Sequence, residues 1–87
     1  MEPLYQLTAK SGPAKGASWN IGDQPLVIGR DITCSITVND PLVSRRHCEV
    51  LVQNGAVIVR DLGSSNATFV NAMPIRQLEV KPGDEIA

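Results

Sequence analysis

Aromatic side chains are nearly missing from this sequence of 87 residues: Tyr5, Trp19 and Phe69 are the full set. Binders of single-stranded nucleic acid stack bases on aromatic platforms, so that class of function is disfavoured. An excess of one charge is lacking too. Eight basic residues stand against nine acidic ones, a formal net charge of -1 with no block of like sign. A duplex binder would show a basic stripe. Nucleic acid is therefore not an expected partner.

Cysteine is scarce and badly placed for a metal. Cys34 and Cys48 form no CxxC pair, and with the single histidine they offer at most three ligands. That spacing does not resemble a zinc site, so no metal and no cofactor are expected. Free, buried thiols in a reducing compartment are the plain reading. The N-terminal "MEPLYQLTAK" lacks the basic and apolar regions of a secretory signal. No run approaches the ~18 apolar residues of a membrane span. A cytoplasmic, membrane-free protein is expected. Pro and Gly also interrupt every window that could form a long amphipathic helix.

What is present is a series of short apolar runs divided by turn residues. With 43% hydrophobic residues, the composition is that of one globular domain, 1–87. A chain of this mass buries roughly 60–65% of its unfolded surface. The runs "LYQLTA" (4–9), "ASWNI" (17–21), "PLVIG" (25–29), "SITV" (35–38), "HCEVLVQ" (47–53) and "AVIVRDL" (56–62) read as strands. Cys48, Val50 and Val52 alternate with Glu49, Leu51 and Gln53, as do Val57 and Val59 with Ile58 and Arg60. Asn54-Gly55 marks a hairpin, because both residues tolerate positive φ. This pattern predicts an all-β sandwich or barrel. After the Pro82-Gly83 turn a strand is expected from about Asp84, short enough to fray.

Three polar clusters fall at strand ends: Gly29-Arg30, Ser44-Arg45-Arg46-His47 and "GSSNATFVN" (63–71). Loops gathered at one rim of a sandwich make a binding surface. The planar fork of Arg30 suits phosphate oxygens, although an exposed pair with Asp31 would use it equally well. Ser44 adds a hydroxyl and Arg45 a second cation, matching a phosphorylated side chain of about -1.5 to -2 charges. Arg46, one position on, should point away from Arg45 in an extended chain. Ser44 beside His47 also admits a serine nucleophile with Asp61 as orienting acid. No oxyanion motif accompanies them, so no enzyme is expected, and His47 is read as tying down the Ser44 loop.

"VIGR", "VSRRHCEV" and "DLGSSNATFVN", in this order and spacing, resemble the forkhead-associated (FHA) domain, with a motif core at 26–71. The resemblance implies a twisted antiparallel two-sheet β-sandwich that binds phosphothreonine in partner proteins, the product of a Ser/Thr kinase. It implies phosphate contacts from Arg30, Ser44, Arg45 and Ser65, and a ligand-backbone contact from Asn66. Gly29, His47, Thr68 and Asn71 would support the site. Two positions depart from the pattern. Ala67 and Ala72 stand where the family usually has glycine, and left-handed geometry there would cost alanine about 1–2 kcal/mol. A rearranged loop and a misaimed Asn66 are the expectation. The family's last strand is also missing, leaving an open C-terminal edge expected to favour a homodimer. A phospho-independent interaction module is the alternative.

Overall fold

The structure, a computed structural model, describes residues 5–12, 14–22 and 24–87. Leu4, the expected start of the first strand, lies outside them. Nine strands follow in order: β1 (Tyr5–Thr8), β2 (Ser18–Ile21), β3 (Leu26–Gly29), β4 (Ile36–Thr37), β5 (Cys48–Gln53), β6 (Ala56–Asp61), β7 (Thr68–Val70), β8 (Met73–Ile75) and β9 (Gln77–Val80). No helix is found among the described residues.

One layer is a five-stranded sheet in the order β4-β3-β5-β6-β9. The β5–β6 hairpin is its centre, paired from Cys48↔Asp61 to Gln53↔Ala56. Asn54 and Gly55 turn it at φ values of 53° and 77°, the positive pair that a tight hairpin with right-twisted strands requires. The β3–β4 pair is parallel, Ile28↔Ile36 and Gly29↔Thr37. Its crossing through residues 30–35 carries the first of the polar clusters.

The other layer holds the β1–β2 hairpin, the β7–β8 hairpin and residues 85–87. The last three residues pair with β7: Val70 bridges Ile86, and Phe69 and Ala87 exchange backbone bonds of 3.0 and 2.8 Å. In place of the strand expected from about Asp84 there is a single bridge at Ile86, because Asp84 closes the preceding turn by donating its N–H to the Lys81 carbonyl at 3.0 Å.

The two layers close on Ile21, Val50, Val57 and Val59, with Leu7, Leu26, Ile28, Ile75 and Ile86 packed around them. Val50 and Val59 have no exposed surface, a burial that contributes about 1.5–3 kcal/mol per side chain. The period-two alternation of β5 and β6 puts these residues inward and leaves Glu49 and Arg60 outside, joined at 2.9 Å. The all-β sandwich expected from the sequence is what these residues build.

Candidate functional site

Three loops leave the same rim: residues 30–35 after β3, residues 38–47 before β5, and residues 62–67 between β6 and β7. Backbone contacts bind the first two. Past Gly29 the β3–β5 ladder continues, with Arg30 N–H donating to the Ser44 carbonyl at 3.0 Å and Asp31 N–H to the Arg45 carbonyl at 3.1 Å. Gly29 is buried against this turn, and a methyl group on it would overlap the Arg45 carbonyl. The glycine is needed for close approach, not for an unusual φ.

Arg30 projects into solvent, yet its root is fixed, because Nε donates to the Val43 carbonyl at 3.0 Å. The terminal nitrogens stay clear of carboxylates: none of the ion pairs among the described residues includes Arg30, Arg45 or Arg46. Asp31 instead accepts from the Thr33 backbone N–H and hydroxyl, each at 3.0 Å. Those two bonds, then the charges of Arg45 and Arg46, outweigh desolvation and hold its carboxyl below the usual range. Both arginines act on Asp31 because residues 45 and 46 form a bend, not an extended strand. The strict alternation expected for Arg46 does not apply there.

The third loop joins through side chains. Ser65 N–H donates to Ser44 Oγ at 2.9 Å. The Ser44 oxygen is used as an acceptor, so its hydrogen remains available to a ligand. Asn66 Nδ2 donates to the Leu42 carbonyl at 2.8 Å. Ala67 adopts the left-handed geometry itself, at φ 68°. Ala72 does the same at φ 68°.

His47 is buried between the loops. Its Nδ1 accepts the Ser44 backbone N–H at 3.1 Å, and Nε2 lies 2.8 Å from the Ala67 carbonyl. An N–H can only donate and a carbonyl can only accept, so the proton sits on Nε2. Neither ring nitrogen is left for the Ser44 hydroxyl, and Asp61 does not touch the ring. The serine–histidine–aspartate arrangement weighed from the sequence is not formed.

Asp61 has another task. Oδ1 accepts from the hydroxyls of Ser64 and Thr68, and Oδ2 from the N–H groups of Gly63 and Ser64 at 3.0 and 3.1 Å. Desolvation pushes its carboxyl up, but the bonds from Ser64, Thr68 and Gly63 together pull it below the ordinary range. Thr68, fully buried, is one end of this hub. Asp61 was not expected to organise the loop, although Asp followed by Leu-Gly-Ser is the pattern of a side chain capping its own turn. Asn71, at φ 49°, staples the C-terminal residues: its side chain donates to Asp84 at 3.1 Å and accepts the Glu85 N–H at 2.9 Å.

The rim thus gathers Arg30, Ser44, Ser65 and Asn66, with Arg45 exposed beside them and Gly29, His47 and Thr68 beneath; Asn71 lies at the other end of β7, bonded to Asp84 and Glu85. Such a surface offers cationic and hydroxyl donors to an anion, on backbone anchored to the sheet.

The comparisons bear on this arrangement. The oxoglutarate dehydrogenase inhibitor of Corynebacterium efficiens is 38% identical over 80 residues, 92% of this chain and 56% of that protein. The glycogen accumulation regulator GarA of Mycolicibacterium smegmatis is 35% identical over 80 residues, 92% of this chain and 51% of that one. The chain therefore spans about half the length of these relatives. A domain solved in a structural and functional analysis of phosphothreonine-dependent FHA domain interactions superposes with a TM-score of 0.87 at 28% identity, covering 98% of this chain and 86% of that one. The family model of the FHA domain matches residues 26–87. Since that segment carries all three loops of the rim and the strands that hold them, the chain belongs to the FHA domain family.

Proposed function

We propose that the chain is a non-catalytic module that binds phosphothreonine-containing segments of partner proteins and serves regulation by a Ser/Thr kinase in the cytoplasm. The observation that carries this reading is the junction of the Arg30 and Ser44 loops: Arg30 N–H donates to the Ser44 carbonyl, its Nε donates to the Val43 carbonyl, and no ion pair among the described residues engages Arg30. Arg30, Ser44 and Arg45 hold the phosphate, and Ser65 lies on the same loop wall. Asn66, whose Oδ1 accepts from no donor among the described residues, accepts from the ligand backbone. Gly29, His47 and Thr68 position them, and Asn71 supports the fold from the C-terminal side. Charge-assisted hydrogen bonds contribute about 1.5–3 kcal/mol each, less where salt screens an open rim. Three of them with backbone bonds reach a micromolar complex, about -8 kcal/mol.

The testing experiment is a titration with a phosphothreonine peptide, its phosphoserine analogue and the bare threonine peptide, against wild type and Arg30→Ala. Binding of the phosphothreonine peptide alone, weakened about 10- to 100-fold in Arg30→Ala, supports the reading. Equal binding of the phosphorylated and bare peptides overturns it. That outcome favours the second reading, a phospho-independent interaction module or a homodimer joined at the C-terminal edge. The observation behind this alternative is the pair of left-handed alanines, Ala67 and Ala72, each at φ 68°.

A further inference from the structure

The five-stranded sheet ends on β9, whose outer edge pairs with nothing among the described residues. The ladder decides which backbone groups that edge presents. Asp61 N–H donates to the Arg76 carbonyl at 2.7 Å, so Val59↔Leu78 and Val57↔Val80 are the bonded positions of the β6–β9 pair. The other side of β6 agrees: Leu62 N–H donates to the His47 carbonyl at 2.9 Å, which assigns Arg60 and Ile58 to β5. Gln77 and Glu79 therefore turn N–H and C=O outward. Lys81, next in that series, is closed off by Asp84, whose carboxylate takes its N–H at 2.9 Å and whose N–H takes its carbonyl at 3.0 Å. Other edges are guarded against pairing. β4 ends after two residues, β8 carries Pro74, and β2 exposes no large apolar side chain. β9 has no such guard: it runs four residues in unbroken register and leaves Leu78 40% exposed.

We infer that the β9 edge joins a second copy of this chain, antiparallel about a two-fold axis at Leu78, and continues the five-stranded sheet into the partner's. Gln77 bonded to the partner's Glu79, and Glu79 to the partner's Gln77, engage all four outward backbone groups of each strand. Leu78 then meets the partner's Leu78 in the non-bonded position, where opposed side chains come closest. The polar side chains fit the same register. Arg60 Nε can only donate, so the Gln77 amide turns its oxygen to it at 3.2 Å and keeps its NH2 as a donor. Across the axis that donor stands opposite the partner's Glu79 carboxylate, an acceptor. Within one chain Glu79 has Lys81 at 3.6 Å, an exposed pair that contributes little and yields readily. Neighbouring registers fit worse. One centred on Glu79 opposes two carboxylates, and one centred on Gln77 sets Glu79 against Ile75, beyond the end of β9. A strand that carries donor and acceptor in this order is complementary to itself, which is why the occupant is a second copy. Gln77, Leu78 and Glu79 lie outside the three loops of the rim, so the inference does not depend on the phosphothreonine reading.

One strand pair makes a small interface, so a dissociation constant on the order of 0.1–1 mM is expected. The test is sedimentation equilibrium of the chain up to about 1 mM, the top of that range, with amide hydrogen exchange read at the same concentrations. The mass should move from monomer toward dimer, and exchange at Gln77 and Glu79 should slow about two- to fivefold relative to dilute protein. Leu78→Lys sets two cations together on the axis. Glu79→Pro removes an outward N–H that β6 does not use. Each variant should stay monomeric, with the Val57 and Val59 amides as protected as in the wild type, while Arg30→Ala should dimerise as the wild type does. A wild-type monomer at the highest concentration overturns the inference. So does a dimer that survives both variants, or one whose new protection falls at Ile86, because either result places the contact on another edge.

Discussion

Ser44 Oγ accepts the backbone N–H of Ser65 at 2.9 Å, a bond between residues 21 apart in sequence. With its oxygen engaged as an acceptor, the hydroxyl keeps its single hydrogen free to donate. Ser44→Ala removes the outward donor and the acceptor that holds the neighbouring loop. We predict a phosphothreonine affinity about tenfold lower, as loss of roughly one hydrogen bond implies, with little change in melting temperature because Ser65 N–H is at the solvent. Calorimetric titration checks this, and an unchanged affinity would show that the hydroxyl does not meet the ligand.

Arg30 should matter more, and by shape as well as charge. Arg30→Ala is predicted to weaken phosphopeptide binding by about 10- to 100-fold, the equivalent of one charge-assisted hydrogen bond. Arg30→Lys keeps the cation but loses the planar fork and the Nε bond to Val43. It should recover only part of the affinity. Full recovery would mean that Arg30 acts as a point charge alone.

Ala67 and Ala72 sit at φ 68°, where a Cβ costs about 1–2 kcal/mol. Glycine relieves that cost, while the added freedom of the unfolded chain takes back about 0.4–1 kcal/mol. The relief wins. Ala67→Gly and Ala72→Gly are each predicted to raise stability by about 0.5–1 kcal/mol, seen as a higher urea midpoint. A fall in midpoint for either variant would refute the strain argument.

Gly29→Ala should act in the opposite sense. Its methyl would collide with the Arg45 carbonyl, and backbone cannot swing aside as a flexible side chain can. A loss of about 1–3 kcal/mol is expected from such overpacking, with weaker phosphopeptide binding because Ser44 moves with Arg45. Near-wild-type values in both measurements would contradict the packing described.

The carboxyl of Asp61 is held below its ordinary range in the folded chain. A depressed folded value contributes stability that is fully present above the unfolded value, about 3.9. It is lost as pH falls through the folded value. The urea midpoint should therefore decline on acidification below about pH 4, and the decline should be shallower in Asp61→Asn. Parallel pH profiles for the two proteins would rule out the Asp61 hub as a source of stability.

The sequence was most legible where local chemistry and global fold agree. Asn54-Gly55 could only be a tight turn, and the alternation of Val57 and Val59 left one face of β6 for the core. Gly29, Arg30, Ser44 and His47 were identifiable because their spacing follows a recognisable motif. Less could be read where neighbours distant in sequence decide. The parallel pairing of β3 with β4 depends on a crossing that no local pattern announces. Asp61 was noticed only as a partner for His47, since four donors converge on it only after the loop has closed. Ala67 belongs with these: propensity gives the cost of a left-handed alanine, whereas the bonds made by His47, Asn66 and Ser65 form only once the three loops have met.

The contact of Gly29 with Arg45 runs from main chain to main chain, and no side-chain atom of Arg45 takes part in the bonds that seat it. Where the loop sits and what it presents are therefore inherited separately. Residue 45 can change its chemical character, and with it the taste for particular ligands, while the serine next to it stays in register with the sheet.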